Sequence, residues 1–466
     1  MCILILNLMF RLKCKYEYLF KGDGMKKEKY IDESFEFRPI EVSRSGKAIS
    51  IKNIGSEKEY NEFIKIMASE YVGISSKIDS LVDDIKTLIS TCNPLELLKY
   101  AYNNFIASIG GISSEVQLST ESVYIGREVE YIQSVLVSSD NKYIKNEDNA
   151  DERLKKFELI SSKIIGLYRL TQSYYMYRTA NLKNENDIEF DIEQEQFLVE
   201  AQLSMFVRGD RYQIYEIPHI KELLEPHNDE FIKLYNITTH DFVEGLSNIQ
   251  KSLTSIQNQF ENVFGEEGNQ IVEIMKLFEK YEEFEKEQFK KDKNQTIDSI
   301  MGKFKEKESF GLDLYKGKEQ NRYKAFDLDE LTNWPKTLLE DLSYKIDENK
   351  HFYNNEYSGW PLIELPVYER PFINIEDKFY CFDYYNLFDN IYRIIQKVLR
   401  QKDLSYKDTW GIRQIDVTER MVSDLFKKIL PNCTVYTSNY YPKNKSLKNC
   451  AENDILILYY DNLIIV

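Results

Sequence analysis

Two carboxylates and a set of amines near the end of the chain are the residues best placed to do chemistry. Glu419 lies in DVTERMVSDLFKKIL, Asp454 opens the apolar run DILILY, and Lys443, Lys445 and Lys448 sit between them in PKNKSLKN. At a strand start Asp454 suits a turn or edge role, but a carboxylate at the head of an otherwise aliphatic hairpin is costly unless it has a partner, which favours a functional role for it. Carboxylates hold a hard cation such as Mg²⁺, and loop lysines touch a phosphate backbone. By default the basic loop is simply solvated. Glu452 is the next candidate ligand, though its place also suits the end of that loop. A zinc site is not expected: the four His lie beyond helical reach of one another, and the six Cys contain no C-x-x-C pair.

The elements that would position these groups follow in a fixed order. From Asp416, the residues Val417, Met421, Val422, Leu425, Phe426 and Ile429 share one helical face, and Pro431 ends the helix. Asp416-Val417-Thr418-Glu419 is also a capping-box pattern, a role that can coexist with a functional one for Glu419. CTVYTSNYY, rich in β-branched and aromatic residues, reads as a strand. AENDILILYYDNLIIV reads as two apolar strands around an Asp461-Asn462 turn. That turn makes Leu463 face Tyr460 and Val466 face Ile457. Asp454 then faces the third position beyond Val466, and the position just after Val466 shares its face.

Helix, strand, basic loop and apolar hairpin in this order resemble the opening of the PD-(D/E)xK nuclease superfamily, the restriction-endonuclease-like fold. The family pattern is a Glu on the first helix, an Asp early on the second core strand and Glu-x-Lys on the third. Glu419 matches the helix position and Asp454 the strand position, while the third strand begins as LIIV. The resemblance implies phosphodiester hydrolysis of DNA or RNA. Asp454 would be a Mg²⁺ ligand, Glu419 would orient a metal-bound water or complete the shell, and Lys443, Lys445 and Lys448 would lie along the substrate backbone. It further implies a truncation before Glu-x-Lys, hence no activity from these residues alone, in a bacterial protein of phage defence or DNA processing. The alternative is a non-enzymatic helical scaffold or interaction protein with a degenerate nuclease fold.

Upstream, the pattern is helical. Tyr60, Ile64, Met67, Tyr71, Ile74, Ile78, Leu81, Ile85 and Leu88 form an unbroken seam at spacings of three and four. Phe242, Leu246, Ile249, Leu253, Ile256, Phe260 and Val263 form a second, and residues 149–182 are also periodic. Such seams serve self-association, or they pack against each other within the chain as an antiparallel bundle, which is the expectation adopted here. Residues 302–324 mix charge with Gly and read as a linker. Beyond them come short strands with a Glu376-Asp377 turn, then a helix carrying Leu387, Ile391, Ile394, Ile395 and Leu399.

Composition bounds the rest. The net charge of −16 argues against coating nucleic acid through bulk charge, but residues 401–466 carry nine Lys or Arg against eight Asp or Glu, so a local contact is allowed. The 34 Tyr accompany much Lys, Ile, Asn and Phe, as AT-rich codons would produce. Residues 2–10 are too short an apolar run to span a bilayer, and no membrane segment is expected. Residues 1–24 read as a translated leader before Met25, and the thiols as reduced and cytoplasmic. The expected fold is mainly α: a long helical, coiled-coil-like region over 25–300, a charged linker with a short helix over 301–350, and a small strand-plus-helix α+β segment over 351–400. An incomplete α/β restriction-endonuclease-like domain over 401–466 completes it.

Overall fold

The computed structural model describes residues 33–37, 39–45, 48–108, 115–116, 120–144, 150–184, 211–254, 323–355, 357–361, 365–442 and 450–466. Among them the chain is mostly helical, with small sheets. It opens with β1 (Glu33–Phe37), β2 (Ile40–Ser45) and β3 (Ala48–Asn53), an antiparallel meander. Helices α1 (Glu57–Ser90), α2 (Pro94–Ser108), α3 (Thr120–Ser138) and α4 (Ala150–Asn184) follow, with β4 (Glu115–Val116) between α2 and α3. β5 (Arg211–Tyr212) pairs with β4 and leads into α5 (Gln213–Leu224). A 3-10 turn (Glu225–His227), α6 (Asn228–Tyr235) and α7 (Thr239–Thr254) come next. Then come α8 (Leu328–Leu331), α9 (Lys336–Asp341) and β6 (Ser343–Lys345), which joins the β7 (Phe372–Ile375)–β8 (Lys378–Tyr380) hairpin in parallel. Last are α10 (Tyr384–Lys402), α11 (Tyr406–Ile429), β9 (Thr434–Pro442), β10 (Cys450–Tyr459) and β11 (Asn462–Ile465).

Two compact units share this chain, one of residues up to Val82 with Gly166–Val207, the other of Asp83–Ile165 with Arg208–Val466. In the first, the β1–β3 meander corrects the expectation of helix throughout 25–300: FEF, IEV and ISI alternate with a period of two, a strand signal inside a helical context. Helix α1 starts at a capping box. The Ser56 N–H donates to Glu59 Oε2 at 2.8 Å, and the Glu59 N–H donates back to Ser56 Oγ at 3.3 Å. The α1 seam is buried at Met67, Ile74 and Ile78, Leu81 lies against Gly166 of α4, and the Tyr71 and Tyr174 hydroxyls meet at 3.2 Å. Seam residues thus find their partners within the chain.

The second unit is built around α3, which is buried on every side from Gly126 to its end. Many of its polar side chains find partners within the protein, although Glu128 Oε1, Gln133 Oε1 and Ser138 Oγ are buried without one. Arg127 Nη1 donates to Glu130 Oε2 at 2.8 Å and to the Tyr368 hydroxyl at 2.5 Å, and that hydroxyl donates to Glu130 at 2.7 Å. The Tyr131 hydroxyl donates to the Gly359 carbonyl at 2.7 Å, and Gln133 Nε2 to the Pro371 carbonyl at 2.9 Å. At the helix end, the carbonyls of Leu136 and Val137 accept from the backbone N–H groups of Asp347 and Asn349. The described residues between Asp347 and Pro371 are thereby tied to α3. Asn386 Nδ2 donates to the Val367 carbonyl at 2.9 Å and fixes the start of α10, whose predicted face is buried. The Glu376-Asp377 turn forms as predicted, with both residues left-handed.

In the expected 301–350 linker, the residues from Tyr323 onward are packed: Phe326 and Leu328 are fully buried. Described residues of the second seam, Phe242, Leu246, Ile249 and Leu253, are buried too, whereas Ile256, Phe260 and Val263 lie outside the described residues. The 1–24 leader also lies outside them. Cys92, Cys381 and Cys433 are free thiols. No helix among the described residues is long and apolar enough to cross a membrane.

Glu128 carries the measurable cost of burying polar groups on α3. It is fully buried, and its Oε2 accepts from Asn104 Nδ2 and Ser161 Oγ, both at 3.2 Å. Loss of hydration outweighs these bonds and pushes its carboxyl up from 4.5 to about 7. The folded chain therefore holds a proton that the unfolded chain releases between those values, and stability falls as pH rises through them. This one group is expected to cost on the order of 3 kcal/mol between about pH 4.5 and pH 8. Urea unfolding across that range should show the loss in the native chain, and Glu128→Gln should remove that component.

Candidate functional site

The expected helix from Asp416 is longer than predicted. α11 begins at Tyr406, so Asp416 and Glu419 are interior residues and the Asp416–Glu419 capping box is not formed. Thr418 instead returns its hydroxyl to the carbonyls of Gln414 and Ile415. The predicted single apolar face is divided as well. Val417 is buried and Met421, Val422 and Phe426 are half-buried, while Leu425 and Ile429 are exposed. The helix serves two surfaces in turn: its first half docks on the 3-10 turn and α5, and its second half packs on β9 and β10.

β9, β10 and β11 form an antiparallel meander in chain order. Ile455 and Ile457, 2% and 0% exposed, make its buried side, while Leu463 and Ile465 stand out at 56% and 61%. The turn is Tyr460-Asp461, not Asp461-Asn462. Tyr459 pairs with Asn462, Leu458 with Leu463 and Ile457 with Ile464, and Tyr460 takes the left-handed conformation. This register carries β11 deeper along β10, so that Val466 and Ile455 exchange both backbone hydrogen bonds at 3.0 and 3.3 Å. The slip from the expected register is two residues, and every side chain of β10 keeps its face.

Asp454 is exposed beside that closing pair. On its other side the β9–β10 ladder runs Asn453 with Asn439 and Ile455 with Thr437, which leaves Ser438 opposite Asp454. Ser438 has φ 51°, a left-handed conformation in mid-strand, and the regular pairing skips this position. Its hydroxyl donates to Glu419 Oε2 at 2.9 Å. Ser438 thus links Glu419 of α11 to the strand position across from Asp454, while Asp454 itself lies on the β10 face of Leu458, opposite that of the buried Ile455 and Ile457. Glu452 pairs with Tyr440 inside β10, not at a loop end. Lys443, Lys445 and Lys448 lie outside the described residues.

Among the described residues no group of three or more His, Cys, Asp or Glu that could hold a metal ion stands together. Mg²⁺ keeps several waters and is commonly held by one or two carboxylates with substrate phosphate, so a carboxylate pair is the right donor type for that ion. A closed zinc shell is not formed by it.

A second cluster, absent from the sequence reading, anchors the other half of α11. His227 is fully buried, its ring stacked on Trp410 at 3.7 Å and 10°. Its Nδ1 meets the Tyr406 hydroxyl at 2.9 Å and its Nε2 meets Gln414 Oε1 at 3.1 Å. Arg413 forms a two-pronged pair with Asp229, and its Nη1 also donates to the Pro226 carbonyl at 2.8 Å and to the Tyr406 hydroxyl at 3.0 Å. Loss of hydration lowers the His227 pKa most, and Arg413 lowers it further, against the bond to Gln414 and the charge of Asp229. Tyr406, Trp410, Arg413 and Gln414 recur at helical spacing, a signal hidden by starting the helix at Asp416.

No family model, curated protein or solved structure matches this chain. Removal of the buried Trp410 ring should leave His227 over a cavity, and Trp410→Ala is expected to cost about 3–5 kcal/mol, read as a lowered urea midpoint.

Proposed function

We propose that residues 401–466 form a restriction-endonuclease-like unit that binds Mg²⁺ through Asp454 and Glu419 for phosphodiester hydrolysis of nucleic acid. The observation that carries this reading is the Ser438 link. A helix followed by a three-strand antiparallel meander has the family's order, and within it Glu419 reaches the strand position opposite Asp454. Bound there, Mg²⁺ would polarise a substrate phosphate and acidify a coordinated water. The chain's own residues would do the rest. Asp454 would present its exposed carboxylate to the ion, Glu419, one oxygen of which accepts from Ser438, would orient a metal-bound water or complete the shell, and Lys443, Lys445 and Lys448 would lie along the substrate backbone. The helical region would act as a sensor, specificity or assembly module.

β11 reads NLII and carries no Glu-x-Lys. These 466 residues are therefore expected to bind the ion without cleaving DNA or RNA. A second reading, a non-enzymatic interaction protein with a degenerate nuclease fold, draws on the absence of a third metal-ligating side chain among the described residues. Titration of the full chain with Mn²⁺ by calorimetry separates the two. Saturable binding that disappears in Asp454→Asn and weakens in Glu419→Gln supports the nuclease reading, whereas no binding, or binding unchanged in Asp454→Asn, leaves the interaction protein.

A further inference from the structure

We propose that His227 is an acid-sensitive latch that holds the first half of α11, and with it the sheet packed on the second half, against the 3-10 turn and α6. The hydrogen-bond directions carry the inference. Gln414 Oε1 only accepts, so His227 Nε2 bears the ring proton and Nδ1 is the acceptor of the Tyr406 hydroxyl at 2.9 Å. The Tyr406 oxygen in turn accepts from Arg413 at 3.0 Å. Every position in this chain is used in one direction only. A proton added at Nδ1 makes it a donor aimed at a hydroxyl that is already donating to it. Tyr406 must then give up that bond and stand between two cations.

The surroundings give the added charge little relief. From α11 the ring meets Tyr406, Trp410, Arg413 and Gln414, and Tyr392 of α10 stands beyond Trp410 with ring centroids 6.0 Å apart. From the 3-10 turn comes the Pro226 carbonyl, already accepting from Arg413. From α6 comes Asp229, both of whose oxygens are engaged by Arg413, with Glu230 acting on Tyr406 behind it. Among the described residues, Arg413 and Asp229 are the charged groups that act on the ring, and none from α5 or α7 does.

The hold on α11 is also narrow. Tyr406, Trp410, Val417 and Ser423 are its buried residues, while Ile412 and Ile415 on its first half are exposed. Two of those four, Tyr406 and Trp410, touch the imidazole itself. Protonation therefore acts on much of the helix's anchorage, and the released state is the one that takes up the proton. The sign follows: the latch is closed at neutral pH, where His227 is uncharged, and it loosens as pH falls below the ordinary His range. This holds whether or not Asp454 binds a cation.

The test uses the full chain and its four histidines, followed by NMR of the imidazole Cε1–H groups, with amide hydrogen exchange of residues 406–417 measured over the same pH series. His227, shielded by the Trp410 ring and confirmed by its loss in His227→Gln, is expected to titrate below the other three. Exchange in 406–417, corrected for its intrinsic pH dependence, is expected to rise by up to about tenfold per pH unit between about 6.5 and the His227 midpoint. In His227→Gln, which has no proton to take up, the rise should vanish. Exchange that stays flat through the His227 titration overturns the latch, as does a rise that persists unchanged in His227→Gln. Should that variant not fold, the coincidence of titration and exchange in the native chain decides alone.

Discussion

A helical stretch with no solvent face must find its hydrogen-bond partners inside the protein, and α3 from Gly126 onward is such a stretch. Much of that requirement is met by described residues between Asp347 and Pro371. They give α3 the Gly359 and Pro371 carbonyls, the Tyr368 hydroxyl and the N–H groups of Asp347 and Asn349. In exchange they are ordered. The Val367 carbonyl then takes the Asn386 amide at the first turn of α10, and Tyr392, two turns further along, reaches Trp410 on α11. Hydrogen bonds, and at the last step a ring contact, thus connect α3 to the helix that carries Glu419. Breaking one partner of a buried charged group leaves the other unpaired, so Arg127, Glu130 and Tyr368 act as a set.

α11 is where that order is handed on. Its first half is fixed by directional contacts: a stacked ring, a two-pronged ion pair and two hydrogen bonds to one imidazole. Its second half supports β9 and β10. The sheet it supports is apolar on both faces, with Ile455 and Ile457 inside and Leu458, Leu463 and Ile465 outside. Continuous apolar strands of this kind belong to sheets covered on both sides, as in α/β folds, rather than to the alternating pattern of a half-solvated sheet. α11 packs on β9 and β10 of this sheet.

How much of this could be read from the sequence depends on the range of the interaction that decides each feature. The α1 seam and the α10 face were legible, because burial at three- and four-residue spacing is a local pattern. So was the Glu376-Asp377 turn, whose residues accept left-handed backbone. The side-chain parity of β10 was legible while its exact pairing was not. The Asp461-Asn462 dipeptide is the better turn former, yet the pairing that joins Val466 to Ile455 moves the turn to Tyr460-Asp461. The β1–β3 meander was missed although its alternation is local, because the helical seams after it set the reading of the whole region. The start of α11 was misplaced for a different reason. Asp416 and Glu419 form a persuasive local start signal, but Tyr406 and Trp410 are held in helix by His227, a residue 179 positions from Tyr406. No local pattern contains that contact.

Ser438 shows the same limit at the candidate site, and there the local cost makes an argument. A residue with a Cβ pays about 1–2 kcal/mol to sit in the left-handed region, and a strand interior offers nothing in return. Such a conformation persists only where the surroundings over-determine it. Here the ladder is in the same register on both sides of Ser438, so no residue has been inserted and the kink is not a bulge imposed by a mismatch in length. What the kink does achieve is specific: it coincides with the bond from the Ser438 hydroxyl to Glu419 and with the gap in the ladder opposite Asp454. A strand meant only to complete a sheet would have no use for either. The strained residue and the helix carboxylate it holds are one feature: a strand position kept in an unfavourable backbone where it bonds across to α11.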